Sequence, residues 1–282
     1  NVSLGAQYNT IGGDTPGERN VIAYNHDGIV VLGTGTSHNT VSGNHIGTDP
    51  TGTLDLGNAY HGVLLAEGAQ DNSIGDGNVI SGNEEYGVFI NAFSGPVTGN
   101  SLFGNYIGTD ATGQEALGNG WSGVALANGA QNNTVGPGNI IAHNGQDGVQ
   151  AGGSGTTGNV ITQNSTFGND KGIELGGGAH GGIEPPVVTN VGLGSIEVTG
   201  TACPLCTVEL FANGDDDGEG ETYAGSTAAD GGGGFSVTLQ VSPGARFLTA
   251  TGTDPISGTS EFSAPYPTGL SWVLLPVVLR AP

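Results

Sequence analysis

Positive charge is almost missing from this chain. Its 282 residues include four basic ones, Arg19, Lys171, Arg246 and Arg280, against 26 acidic ones, for a formal net charge of −22. Nucleic acid and anionic lipid surfaces are held by clusters of Lys and Arg that replace counterions, so neither is expected as a partner. Methionine is absent and cysteine occurs only at Cys203 and Cys206. So little oxidisable sulfur suits an extracellular or cell-surface setting. No stretch of about 18 apolar residues occurs, so no membrane-spanning helix is expected. No charged-then-apolar leader opens the chain either, and "NVSLGAQYNTIGG" reads as a processed, mature N-terminus.

Glycine, by contrast, is abundant at 56 residues, with 13 prolines. No Gly-X-Y register accompanies it, which excludes collagen, and apolar residues recur in short regular clusters, which argues against disorder. An ordered, turn-rich all-β protein is expected. Self-comparison gives the organisation: "GAQYNTIGG" at Gly5 returns as "GAQDNSIGD" at Gly68 and "GAQNNTVGP" at Gly129. "NHIGTDPTGTLDLGN", ending at Asn58, returns as "NYIGTDATGQEALGN", ending at Asn119. Two independent motifs therefore share one long period.

A shorter beat runs inside it: "NVIAYN" from Asn20, "NTVSGN" from Asn39, "NVISGN" from Asn78, "NIIAHN" from Asn139 and "NVITQN" from Asn159. It alternates with β-rich runs after Gly28, Gly62, Gly87, Gly123, Gly148 and Gly172. These runs lie about two dozen residues apart once the "GTD.TG" excursions are set aside, the size of one coil of a parallel β-helix. The connecting turns lack hairpin spacing, so each strand is expected to pair with its equivalent one coil away. Val and Ile ladders then fill a narrow interior, while Asn and Gly serve the corners, where left-handed conformations and side-chain to backbone hydrogen bonds are needed.

"GNVISGN", "GNYIGTDATG" and "GVLLAEGAQDNSIG" resemble the right-handed parallel β-helix repeats of large secreted bacterial surface proteins, related in fold to the pectate-lyase-like superfamily. The resemblance covers residues 1–182. It implies the fold and says little of function, because such repeats serve lyases, hydrolases, epimerases and inert scaffolds alike. After "GGGAHGGIEPP" the beat stops. Strand-length segments such as "CTVELFAN" and "GGFSVTLQV" predict an antiparallel sandwich of about seven strands over 183–268, similar to the bacterial immunoglobulin-like modules that follow repeat regions.

Catalytic signatures are not found. Enzymes that cleave polyuronates need cations to hold their substrate, and the coils offer only Arg19 and Lys171. Asp49 and Asp110 repeat with the period and read as turn-formers. Glu84 and Glu85 are adjacent and read as a solvated pair rather than carboxylates flanking a glycosidic bond. The six histidines, His38 and His45 included, show no short metal-ligand spacing. "CPLC" admits a zinc knuckle, a redox pair or a tight disulfide. Partner ligands and a helix are missing, which favours the Cys203–Cys206 disulfide. Asp215, Asp217, Glu219 and Glu221 alternate as calcium ligands do, although position 226 is Ser where an EF-hand needs Glu, so a solvated acidic tip competes with a calcium site.

The ending "SWVLLPVVLR" is apolar on both alternating faces, as in a strand buried on both sides, but is too short for a membrane helix and holds Pro276. Residues 269–282 are expected either to pack at home, to serve attachment, or to add as a donor strand to a neighbour. In the last case Trp272, Val273, Leu274, Leu275, Val277, Val278 and Leu279 would dock on the open first coil around Val2 and Leu4. The expected function is an extracellular structural subunit, not an enzyme, polymerising with itself head to tail. The alternative is a surface adhesin or carbohydrate-binding β-helix recognising cell-surface glycans. No cofactor other than calcium is expected.

Overall fold

The computed structural model describes residues 1–13, 15–191, 196–239 and 244–269. The chain is all-β, and its first part is a parallel solenoid of six coils with three strands each. One sheet runs from Thr10–Gly12 to Val160–Ile161, a second from Val21–Ile22 to Ser165–Phe167, and a third from Ile29–Leu32 to Ile173–Gly176. Every neighbouring pair is parallel and in register. In the third sheet Val31, Leu65, Ile90, Leu126, Ala151 and Leu175 form one unbroken column. Columns of Val41, Ile74, Leu102 and Val135, and of Ile46, Ile80, Ile107 and Ile141, face it across an apolar interior. Many strands are only two residues long. Stacking with identical neighbours about 4.8 Å above and below is what makes such short segments hold.

Three asparagine ladders mark the corners. Asn9, Asn39, Asn72, Asn100, Asn133 and Asn159 make the first, in which each Nδ2 donates to the Oδ1 one coil on. Asn20, Asn44, Asn78, Asn105, Asn139 and Asn164 make the second. Asn25, Asn58, Asn83, Asn119, Asn144 and Asn169 make the third. Most backbone N–H groups of these residues donate to the same Oδ1 atoms, as Asn72 does to Asn100 at 3.0 Å. The corner amides are thus satisfied without water although most rungs are buried. Glycine is needed where coils pass closest: at Gly108, with φ +86°, a Cβ would lie 2.1 Å from the Ala142 carbonyl oxygen.

The "GTD.TG" excursions leave the coil after the second sheet. Asp49 and Asp110 fold them, each accepting hydrogen bonds from backbone N–H groups up to five residues on, and Ala111 N–H donates to the Gly52 carbonyl to stack one loop on the other. His45, fully buried, binds the Asp49 carbonyl through Nδ1 at 3.1 Å.

The second part is two antiparallel sheets packed face to face. One joins Val187–Val191, Ile196–Thr201 and Gly234–Leu239; the other centres on Thr207–Asn213 and Phe247–Asp254, with Thr222–Ala228, Gly258–Thr259 and Tyr266–Pro267 beside them. Val198, Phe235, Val208, Leu210, Leu248 and Ala250 build its separate core. This unit closes the last coil. Phe262 packs on Gly172 and crosses Phe211 edge to face at 5.2 Å, and Gly258 bridges Asn159 while Gly220 bridges Thr166.

Candidate functional site

At the corner between the third asparagine ladder and the third sheet the repeat keeps its backbone and varies its side chains. Two columns climb it. Backbone hydrogen bonds place His26, Tyr60, Glu85, Trp121, Gln146 and Asp170 in one. His61, Tyr86, Ser122, Asp147 and Lys171 lie in the other, each just before the glycine that opens a third-sheet strand. The strand position that follows, on the outer face of the sheet, carries Val30, Leu64, Phe89, Ala125, Gln150 and Glu174 in register.

The rings touch in sequence along the axis. His26 stacks on Tyr60 at 4.0 Å, Tyr60 meets His61 edge-on at 6.3 Å, and His61 stacks on Tyr86 at 5.6 Å. Tyr86 then contacts Phe89 at 4.9 Å and Trp121 at 5.0 Å. Tyr60 and Trp121 stay 41% and 38% exposed, so an apolar ring surface remains open to solvent. They stand two coils apart, or about 10 Å along the axis.

Carboxylates line the same strip. Asp27 accepts the His61 backbone N–H at 3.3 Å and lies 2.9 Å from His26 Nδ1. Glu85 Oε2 is 3.5 Å from His61 Nδ1. Burial, and then the Asp27 charge, push Glu85 above the usual carboxylate range. Burial and then Glu174 do the same for Asp147. Burial holds His61 low against the pull of Asp27, and burial, Glu85 and Asp147 raise the Tyr86 phenol. Two of the three buried side-chain polar atoms with no hydrogen-bond partner among the described residues, His61 Nδ1 and Ser122 Oγ, lie in this strip. Buried polar atoms left unpaired are costly, and here they share one face with exposed rings.

The residues singled out in the sequence go elsewhere. Cys203 and Cys206 form a disulfide at the turn into Thr207–Asn213. Asp215, Asp217, Glu219 and Glu221 do not converge. Glu221 accepts Gly214 N–H at 2.8 Å, while Glu219 turns away, fully buried, onto Asn169 of the last coil. Among the described residues no group of three or more His, Cys, Asp and Glu is placed to hold a metal ion. Val2 pairs with Val31, and Leu4 is 97% exposed in a left-handed turn. Trp272, Val273, Leu274, Leu275, Val277, Val278 and Leu279 lie outside the described residues.

Glu84 and Glu85 are not a matched solvated pair: Glu84 is exposed, whereas Glu85 is half-buried against His61. The strip itself escaped the sequence reading because its residue types do not repeat. The available signal was position, since "HDG", "YHG", "EYG" and "WSG" each end at the glycine of a β-run. The chain matches no protein-family model and no curated protein, so what the strip does is argued from its own geometry.

Proposed function

We propose that the protein is an extracellular, non-catalytic β-helix that binds an extended glycan along the strip formed by Tyr60, Tyr86 and Trp121. The observation that carries this reading is the row of ring contacts parallel to the solenoid axis with carboxylates beside it. Sugar rings present apolar C–H faces that suit the negative face of an aromatic ring, and their hydroxyls donate to carboxylates. Two coils span about the length of a disaccharide in an extended β-linked chain. The relationship to secreted surface β-helices and the immunoglobulin-like character of the second unit belong with this proposal. So does self-association head to tail, whose donor segment lies outside the described residues. Electron microscopy of the chain beside one ending at Gly269 tests that part, through fibres present in the first and absent in the second.

The binding test is titration calorimetry of the full chain with a panel of hexasaccharides. Trp121→Ala should weaken the best binder about two- to tenfold, because one aromatic contact contributes roughly 0.5–1.5 kcal/mol beyond its buried area. An unchanged affinity in a folded Trp121→Ala protein would overturn the strip as the site.

A further inference from the structure

The strip carries Asp27, Glu85, Asp147, Asp170 and Glu174 against a single lysine, and that lysine is already engaged. Lys171 is paired with Glu174, and His26 lies against Asp27. That leaves Glu85 with no hydrogen bond, only His61 at 3.5 Å, and Asp147 with a single marginal contact to Gln150 at 3.5 Å. These two carboxylates sit one coil before and one coil after Trp121 along the axis, with Glu85 in the same coil as Tyr86. A chain with net charge −22 already repels polyanions, and a local row of carboxylates deepens the potential where a ligand would lie. Uronate polymers, the usual guests of acidic-sugar-binding surfaces, would need compensating cations that this face lacks.

Resting on the glycan-binding reading above, we infer that the strip selects an amine-bearing glycan, a β-linked polymer of sugars with protonated amino groups. The rings of Tyr60 and Trp121 would carry the sugar faces, and Glu85 and Asp147 would take the ammonium groups one coil away from each ring. An ammonium group supplies donors to both carboxylates and offsets the charge that each now lacks a partner for. It also meets the electron-rich ring faces favourably.

The test uses the full chain in mildly acidic buffer at physiological ionic strength. The probes are the β-1,4-linked glucosamine hexasaccharide, its fully N-acetylated form, the corresponding neutral glucose hexasaccharide and a hexagalacturonate. The glucosamine hexasaccharide should bind at least tenfold more tightly than either uncharged probe, with no binding of the uronate. Glu85→Gln should bring the ratio of glucosamine to glucose affinity close to one. Asp215→Asn with Asp216→Asn, which together remove more charge outside the strip, should leave most of the ratio in place. A ratio near one in the unaltered protein overturns the inference and leaves glycan binding standing. A ratio that falls as far in the Asp215 and Asp216 variant as in Glu85→Gln also overturns it, by assigning the preference to net charge. Failure of every probe to bind overturns the glycan reading and this inference together.

Discussion

Asn100→Ala measures what an asparagine rung contributes to the solenoid. Asn100 Oδ1 accepts from Asn72 N–H at 3.0 Å and from Asn72 Nδ2 at 3.1 Å. Its own Nδ2 donates to Ala69 O, Thr98 O and Asn133 Oδ1 at 3.2, 3.3 and 3.0 Å. Alanine leaves the buried Asn72 N–H without an acceptor, whereas Asn72 Nδ2 keeps Thr36 O and Gln70 O. One orphaned backbone donor costs about 1–3 kcal/mol, and two lost amide hydrogen bonds add roughly 1 kcal/mol each. The expected loss is therefore about 3–5 kcal/mol, read as a fall in the midpoint of equilibrium urea unfolding followed by far-ultraviolet circular dichroism. Asn9→Ala is the control. That side chain is exposed and donates only to Gln7 O and Asn39 Oδ1, so about 1 kcal/mol or less should be lost. Asn100→Asp keeps the acceptor for Asn72 but turns a lone pair toward three oxygens and buries a charge. It should be worse than alanine at neutral pH and recover in acid. Equal losses for Asn100→Ala and Asn9→Ala, or a well-tolerated aspartate at neutral pH, would refute the claim that the ladders satisfy otherwise orphaned amides.

Other outcomes follow from the same geometry. Burial raises Glu219 to about 7. The folded protein therefore holds this proton more tightly than the unfolded chain, so the stability it contributes is full below about pH 4.5 and is lost as pH rises through about 7. Glu219→Gln places an amide donor against one of the two Asn169 donors, which costs stability at every pH, but it removes the titration, so relative to the unaltered protein it should gain up to about 3 kcal/mol between pH 4.5 and pH 8. Thermal melts of both proteins at the two pH values check this, and a pH-independent difference would count against it. Gly108→Ala should cost well over 1 kcal/mol in the same urea assay, because φ is +86° and the added Cβ would lie 2.1 Å from the Ala142 carbonyl oxygen. A neutral effect would mean that neighbouring coils can move apart at this corner.

The solenoid was readable because it repeats. Asn20, Asn39, Asn78, Asn139 and Asn159 announced the beat, and each lies on a ladder. The extension of the ladders to residues outside that beat, such as Asn58 and Asn119 at the far side of an excursion, becomes evident only when the coils are stacked. The second unit was legible as antiparallel strands from alternation in segments like "FSVTLQV". What could not be read were contacts across long separations between unlike residues. Glu219 looked like a calcium ligand because its neighbours in sequence are acidic, yet its partner is Asn169, 50 residues earlier. Tyr60, Tyr86 and Trp121 share no motif, and only the stacking of coils at the asparagine corner brings them into one row.

The direction of the ladders explains why carboxylates meet the last coil. Along each ladder N–H groups donate toward the following coil, so every coil supplies acceptors to the one before and requires acceptors from the one after. The final coil must find them outside the repeat. Glu219 takes both Asn169 N–H and Asn169 Nδ2, at 3.0 and 2.8 Å. Glu209 takes Gln163 N–H and the Thr162 hydroxyl, at 3.1 and 2.6 Å, and Glu261 takes Leu175 N–H at 2.9 Å. On the first ladder His180 does the same work: its Nδ1 lies 2.7 Å from the Thr259 carbonyl and so carries the proton, which leaves Nε2 to accept from Asn159 Nδ2 at 3.4 Å. A carboxylate is an acceptor with no donor to misplace, which makes it the natural terminus for a row of N–H groups. It also brings a buried charge whose cost is visible in the raised Glu219 pKa. The second unit is in this sense the last rung of the solenoid, built from an unrelated fold but obeying the same hydrogen-bond polarity.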